Sequence, residues 1–336
     1  MKYGLLSYDE FKEFGGQNIG DYVQSLAAKQ FIPERSEILY VKRDHLNEYN
    51  GDPIKLIMNG WFSHIPENFK PSDKIIPLFI AFHLNSTVKD KILTPENITY
   101  LKKYEPIGCR DKYTANLLNE KGIKAYFSGC LTLTLGMKYK NEHKTDDVYF
   151  IDPFIGTDVS IFAIVNSLLI SFPHYLLLKR IQKNMIFQKG IKGYIKASLF
   201  YTQYSKIFGK NVLKKAKYLH NQYHCDSEEE YFKSAENLIN LYSSAKLVVT
   251  SRIHAALPCT GLETPVIFIN NLNDSELSTC RFDGLIDLFN VINHDGKKLI
   301  NNNDVKISNI KINQRYKILK ENMEKTCSDF MNSGGF

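Results

Sequence analysis

The chain has 336 residues, 43% hydrophobic and 24% charged, the composition of a globular protein with room for two domains. Its six cysteines (109, 130, 225, 259, 280 and 327) are scattered without a C-x-x-C pair, which argues against a disulfide framework or structural zinc and for a reducing, cytoplasmic setting. The formal charge of +7 is uneven: Val159 to Cys225 holds eleven Lys or Arg and no Asp or Glu, and no unbroken apolar run reaches the ~18 residues of a membrane span.

Met1 to Tyr8 reads as a first strand, and Asp9 and Glu10 come too early for a secretory signal. Phe14-Gly-Gly-Gln-Asn-Ile-Gly-Asp21 follows, and then Tyr22, Val23, Leu26 and Ala27 at helical spacing. Strand, glycine-rich turn and helix open one unit of a Rossmann-like sheet. The turn is neither G-x-G-x-x-G nor a Walker loop. Asp21 at the helix start would repel a phosphate, so it suits a hydroxyl-rich ligand, or else it caps the helix. Ile54 to Asn59 and Ile75 to Phe82 read as buried strands, with Trp61 and His83 just past their ends, where pockets form in open α/β sheets. Packing is the simpler role for Trp61.

Pro106 to Asp111 reads as a short strand meeting a helix over Lys112 to Lys121, which Gly122 ends. Arg110 sits at that junction. Tyr139 to Asp147 is polar and aperiodic, the best linker in the chain, and Asp147 to Asp152 opens a second αβ run. These features divide the chain into an N-terminal unit over 1–142, a second unit over 143–310 with a basic helical insertion at about 160–217, and a C-terminal helix and tail over 311–336.

In the acid-free insertion, Ser160 to Tyr175 is largely apolar and helical in spacing, although Pro173 interrupts it, and from Leu176 to Lys217 Lys and Arg alternate with Phe, Tyr, Ile and Leu. That pattern suits the surface of an anionic membrane or a plain solvated basic face. No recognition-helix or RNA-motif signature accompanies it, so no nucleic acid is expected. Beyond it, Ala216 to His220 reads as a strand and Ser227-Glu-Glu-Glu230 as a helix start, with Tyr231, Ala235, Leu238, Ile239 and Tyr242 facing inward.

Leu247 to Thr250 is a short β-branched run, a buried strand, and Ile253 to Gly261 is the helix after it. The turn between them carries Ser251, Arg252 and His254. Ser251 can cap the helix. The helix N-terminus and the Arg252 fork suit phosphate or carboxylate, and His254 can move a proton near neutral pH. The plain alternative is a surface ion-pairing arginine and a satisfied histidine. Pro265 to Ile269 is a further strand, Arg281 to Phe289 a loop entering a helix, and Ile310 to Met331 a final amphipathic helix.

Several of these segments resemble one family, the polysaccharide pyruvyl transferases. They are Gly16-Gln-Asn-Ile-Gly-Asp21, Ile107-Gly-Cys-Arg-Asp111 with Thr114, Gly122-Ile123, and Ala245-Lys-Leu-Val-Val-Thr-Ser-Arg-Ile-His-Ala255 with Pro258 and Glu263-Thr-Pro-Val-Ile267. The resemblance implies two Rossmann-like domains facing across a cleft, a GT-B-like architecture. It implies transfer of the enolpyruvyl unit of phosphoenolpyruvate (PEP) onto two sugar hydroxyls of a surface or capsular polysaccharide or its lipid-linked precursor, giving a cyclic ketal without cofactor or metal. Two departures are visible: Ser128-Gly-Cys130 stands where members carry Asp-Pro, and Val148-Tyr-Phe-Ile151 lacks the arginine that members place on that strand.

Under this resemblance His254 is the acid that protonates the vinyl carbon. Asp21, His83 or His224 is the base for the attacking hydroxyl. Ser251, Arg252, Arg110 and Arg281 hold the donor, the last two standing in for the missing arginine. Asn18, Gly20, Trp61, His83 and His224 are the expected acceptor contacts. A nucleotide-sugar glycosyltransferase is the competing reading, with Glu263 as the acid nearest the turn. A non-catalytic binder at the membrane is another.

Overall fold

A computed structural model of the chain describes residues 2–9, 16–186, 188–275 and 279–333. The α/β class expected from the sequence is what the chain adopts. Two six-stranded sheets form. The first runs β3 (Ile38–Lys42), β1 (Lys2–Ser7), β4 (Ile54–Trp61), β5 (Ile75–His83), β6 (Ile107–Cys109) and β7 (Ala125–Phe127), all neighbours parallel. The second runs β14 (Leu299–Ile300), β13 (Asn290–His294), β12 (Val266–Asn271), β11 (Leu247–Thr250), β8 (Val148–Ile151) and β9 (Lys217–Leu219), parallel except for β13 with β14. Parallel strands buried on both faces read as unbroken apolar runs, as Leu247-Val-Val-Thr250 does.

Each sheet has one place where the chain reverses its direction of winding. In the first it lies between β1 and β4, in the second between β8 and β11. The crevice outside the carboxyl ends of such strands is where ligands bind in open α/β sheets.

The helix Ile19–Lys29 joins the two halves, and the helix Ile253–Gly261 also packs against the turn Leu131–Thr134 of the first half. Asn18 caps Ile19–Lys29, its side chain accepting from Gly20 N at 3.1 Å. Ile19 to Ala28 are all buried, because the helix packs on its own sheet and also against the helices Glu228–Ser244 and Ile253–Gly261. The Tyr22 ring stacks on Tyr231 with centroids 4.9 Å apart and meets Phe232 edge-on at 5.0 Å. A two-residue antiparallel ribbon, β2 (Gln17–Asn18) on β10 (Gln222–Tyr223), adds a backbone link. The C-terminal helix Tyr316–Asn332 returns to the first sheet, burying Met323, Cys327 and Met331; Lys55 Nζ, below its end, donates to Phe330 O at 2.7 Å.

Several expectations are corrected here. β3, β13 and β14 were not anticipated. Arg281 to Phe289 enters no α-helix: it makes two short 3-10 turns, Cys280–Phe282 and Ile286–Leu288, separated by Gly284 at φ 80°. The final helix begins at Tyr316 rather than near Ile310. The helices of the insertion, Ile161–Ser171 and Tyr175–Asn184, are joined by the 3-10 turn Phe172–His174 that carries Pro173. Together Ile161–Asn184 makes 24 residues of helix, with mean hydropathy 1.8 over its most apolar window, long and apolar enough by composition to cross a membrane. Counting unbroken apolar letters missed this, because Asn166, Ser167, Ser171 and His174 interrupt the run without adding charge.

Candidate functional site

A cavity of about 860 Å³ lies between the carboxyl ends of the two sheets and draws its walls from both reversal points. From the first sheet come Gly16, Gln17, Asn18 and Asp21 after β1, Trp61 and His64 after β4, His83 and Asn85 after β5, and Arg110 after β6. The second sheet gives Asp152 to Ile155 after β8, Ser251 to His254 after β11, and Asn270 and Asn271 at the end of β12. Arg281 and Phe282 close one side, and Met185, Ile186, Gln188 and Lys196 of the basic insertion close another.

The turn after β11 is organised by hydroxyls. Thr250 Oγ1 accepts from Arg252 N at 2.9 Å and donates to Ile151 O at 2.7 Å. Ser251 does not cap the helix as expected: its hydroxyl donates to Ile269 O and accepts from Phe154 N, both at 2.7 Å, which ties β8, β11 and β12 together at the crevice. Arg252 is the residue preceding the helix. Its Nε donates to Asp152 Oδ2 at 3.1 Å across the reversal point, and its side chain is 49% exposed. Asp152 is held in turn by Asn221 N at 3.0 Å, with its own backbone at φ 40°. A non-glycine residue in the left-handed region is strained, and such residues cluster at functional sites.

His254 lies one helical residue inside, partly buried. Gln24 Nε2 lies 3.5 Å from its Nδ1 and also donates to Asp21 Oδ1 at 3.2 Å. An amide nitrogen only donates, so Nδ1 accepts and the neutral ring carries its proton on Nε2. That Nε2 is buried and has no hydrogen-bond partner among the described residues. Burial holds the ring well below the ordinary histidine range, and the positive charges of Arg110 and Arg281 push in the same direction. Arg281 is itself lowered, by burial first and then by Arg110, with Arg252 adding to it. Three arginines and two imidazoles thus share one cavity wall.

Arg110 is 3% exposed, its Nε 3.7 Å from Asp111 Oδ2. Asp111 caps the helix Lys112–Glu120, accepting from Thr114 N at 2.9 Å, and takes His83 Nδ1 at 2.6 Å. His83 is lowered to about 4 by burial, with Arg110 reinforcing the shift against the Asp111 carboxylate. It is therefore a neutral ring with one nitrogen committed to Asp111.

The opposite wall is acidic and aromatic. Asp21 does not cap its helix, since Asn18 does that. Its carboxylate is buried, 3.7 Å from Arg43 Nη1 and in contact with Gln24 and Gln17. Burial raises its pKa, partly offset by Arg43. Arg43 is bound to Asp44 at 3.0 Å, lies 2.8 Å from His64 Nδ1, and sits over the Tyr8 ring at 4.9 Å. Trp61 ends β4 after a register shift between Met58 and Gly60, which re-aims the strand end. Its indole meets His64 edge-on at 4.3 Å.

Two expected acceptor contacts fall outside the lining. Gly20 is buried beneath it, where an added Cβ would come 2.7 Å from His254 Cβ, so only glycine lets that histidine close on the helix. His224 is exposed; its ring packs on the outer side of Gly16, where an added Cβ would meet Nε2 at 3.0 Å. Glu263, the carboxylate of the glycosyltransferase reading, also lies outside the lining. It sits past the far end of the helix Ile253–Gly261, bound by Lys140 at 2.7 Å and Tyr316 at 2.9 Å.

Sequence reasoning missed Arg43, His64, Asp152, Asn221 and Gln222. Arg43 follows the last residue of β3, a strand that was not anticipated, whereas Asp152 follows β8, whose end at Ile151 was read correctly, so the strand-end rule applied there would have flagged it. Five lining residues carry a buried polar atom with no partner among the described residues: Trp61 Nε1, Arg110 Nε, Asn221 Oδ1, Gln222 Oε1 and His254 Nε2. Buried polar atoms are paired in the great majority of cases, and leaving one unpaired costs about 1–3 kcal/mol. Their concentration around one cavity marks a site built for a polar ligand.

The family model for polysaccharide pyruvyl transferase matches residues 18–273. No curated protein matches the chain. Among solved structures, a functionally uncharacterized protein from Klebsiella pneumoniae is similar at 13% identity and TM-score 0.45, covering 87% of this chain and 92% of that one. A UDP-GlcNAc 2-epimerase from Methanocaldococcus jannaschii, in complex with UDP-GlcNAc and UDP, is similar at 11% identity and TM-score 0.38, covering 99% of this chain and 94% of that one. By the match over most of its length, the chain belongs to the polysaccharide pyruvyl transferase family.

Proposed function

We propose that the protein transfers the enolpyruvyl unit of PEP onto two hydroxyls of a glycan, forming a cyclic ketal and releasing phosphate. The observation that carries this reading is the gathering of Arg110, Arg252 and Arg281 around His254 in one cavity, with Asp21 and Trp61 on the facing wall. PEP carries a phosphate and a carboxylate, and each calls for a cationic or N–H site. The Arg252 fork and the free N–H groups at the start of the helix Ile253–Gly261 suit one. Arg110, with Arg281, suits the other.

Burial and the charges of Arg110 and Arg281 keep His254 neutral, which would make it a poor acid. A bound dianion or trianion reverses the field that Arg110 and Arg281 impose and favours the imidazolium, whose second proton sits on Nδ1 once the Gln24 amide turns to present Oε1, an oxygen without a hydrogen-bond partner among the described residues. His254 Nε2 then gives its proton to the vinyl carbon. Positive charge develops at the neighbouring carbon, where a sugar hydroxyl adds, its proton passing to Asp21. The raised pKa of Asp21 suits it to accept that proton. The carbon–oxygen bond to phosphate breaks, and the second hydroxyl closes the ketal, its proton returning to His254 Nε2. Trp61 offers an apolar face and an unpaired indole N–H to the sugar. The acceptor we favour is a saccharide carried on lipid at the cytoplasmic membrane face, as precursor of a surface or capsular polysaccharide.

A donor screen tests the reading. Phosphate is expected to appear from PEP in the presence of a suitable glycan, with no nucleoside diphosphate released from nucleotide sugars. The reverse pattern would assign the cavity to glycosyl transfer.

A further inference from the structure

The helical insertion is built inside out. The helix Ile161–Ser171 turns Ser167 and Ser171 into the fold, and the Ser167 hydroxyl lies 3.0 Å from Thr202 Oγ1 of the helix Gly190–Phe208. Its large apolar side chains face outward. Phe162 is 82% exposed, Leu169 70%, Phe172 74% and Leu176 82%, with Val165 also exposed. Positions 162, 165, 169, 172 and 176 recur in steps of three and four, so they line one side of a helical rod. A surface helix in water shows the opposite pattern. Ile191, on the neighbouring helix, is exposed as well.

Beside this apolar face stand Lys179, Lys183, Lys189 and Lys192, all exposed, and the span from Val159 to Cys225 contains no acid. Lys179 Nζ lies over the Tyr175 ring at 5.5 Å, at the border between apolar and basic surface. An apolar face flanked by lysines is complementary to acyl chains beneath anionic headgroups. The same insertion supplies Met185, Ile186, Gln188 and Lys196 to the cavity wall.

We infer that the Ile161–Leu176 face embeds in the surface of an anionic phospholipid bilayer, with the lysines at headgroup level, and that this docking brings the cavity mouth to the membrane. The docking stands on the exposed face and the charge. Its service to a lipid-carried acceptor rests on the functional reading above.

Flotation of the full chain with phosphatidylcholine vesicles, with and without phosphatidylglycerol, tests it. The wild type is expected to bind the anionic vesicles at least tenfold more tightly. The combined Phe162→Ser, Leu169→Ser and Leu176→Ser variant is expected to lose at least tenfold in that binding. It removes no packing, so its melting temperature and its phosphate release from PEP with a free oligosaccharide are expected to stay at the wild-type level. Lys179→Glu with Lys183→Glu is expected to abolish the preference for anionic lipid. Equal binding by the serine variant, or no binding by the wild type, overturns the inference. So does a stable dimer of the wild type, seen by light scattering without vesicles, that the serine variant dissolves, because the face then belongs to a second copy. Vesicle binding without phosphate release from PEP would leave the docking intact and sink only the catalytic reading.

Discussion

The variant His254→Ala is expected to lower turnover of PEP by about 10²–10⁴-fold, the range for losing a positioned general acid. PEP affinity is expected to change only a few-fold, since Arg110, Arg252 and Arg281 all remain. Phosphate release under single turnover measures the first quantity, and equilibrium titration the second. His254 is seated over Gly20, which has no Cβ to push it away, and its Nδ1 is held by Gln24. That leaves Nε2 as the one ring nitrogen free to meet a ligand, and it is buried without a partner among the described residues. Normal turnover in the variant would remove the acid role.

The variant Arg252→Ala is expected to raise the KM for PEP by about 10–100-fold with little change in kcat, matching the ~1.5–3 kcal/mol of hydrogen bonds to a charged group. Lysine at this position is expected to restore only part of the affinity, because it supplies the charge without the planar fork. Arg252 is a cleaner test than Arg110. Its side chain is half exposed, and its partner Asp152, 13% exposed, keeps the Asn221 N–H at 3.0 Å when the guanidinium is removed. Arg110 is buried against Asp111, and its loss would disturb that network as well as the donor. An unchanged KM would take Arg252 out of the donor site.

Much of this site can be read from the chain because it sits at strand ends. A β-branched run followed by Ser-Arg-x-His places an arginine and a histidine at the mouth of a crevice wherever the sheet is parallel. The same logic finds Arg110 after β6 and Trp61 at the end of β4. It was not applied at β3, whose Ile38-Leu-Tyr-Val41 is a four-residue apolar run of the kind that marks a strand, although this edge strand is only partly buried. Arg43 was lost with it, and so was the reason Asp21 is buried beside a cation.

Other features have no local signature. The ribbon of β2 on β10 is two residues long. The link from Asp21 through Gln24 to His254 spans 230 residues of sequence. The capping alternative for Asp21 fails because Asn18 is as good a capping residue, and only the fold decides which one turns toward Gly20 N. Ser251 was misread for a similar reason: its hydroxyl serves three strands instead of the helix it precedes. The outward face of Ile161–Ser171 was legible as apolar spacing, but not as exposed, since periodicity gives a face without saying what covers it.

Calorimetric titration of PEP into the protein, in buffers of different ionisation heat near neutral pH, tests the central claim most directly. His254 is held neutral by burial and by Arg110 and Arg281. Donor binding is claimed to protonate it. The sign follows: a pKa that rises from below to near the working pH takes up protons on binding. The account predicts net proton uptake, up to about one per site, that His254→Gln abolishes while binding persists. Binding without uptake, or the same uptake in the variant, would contradict it.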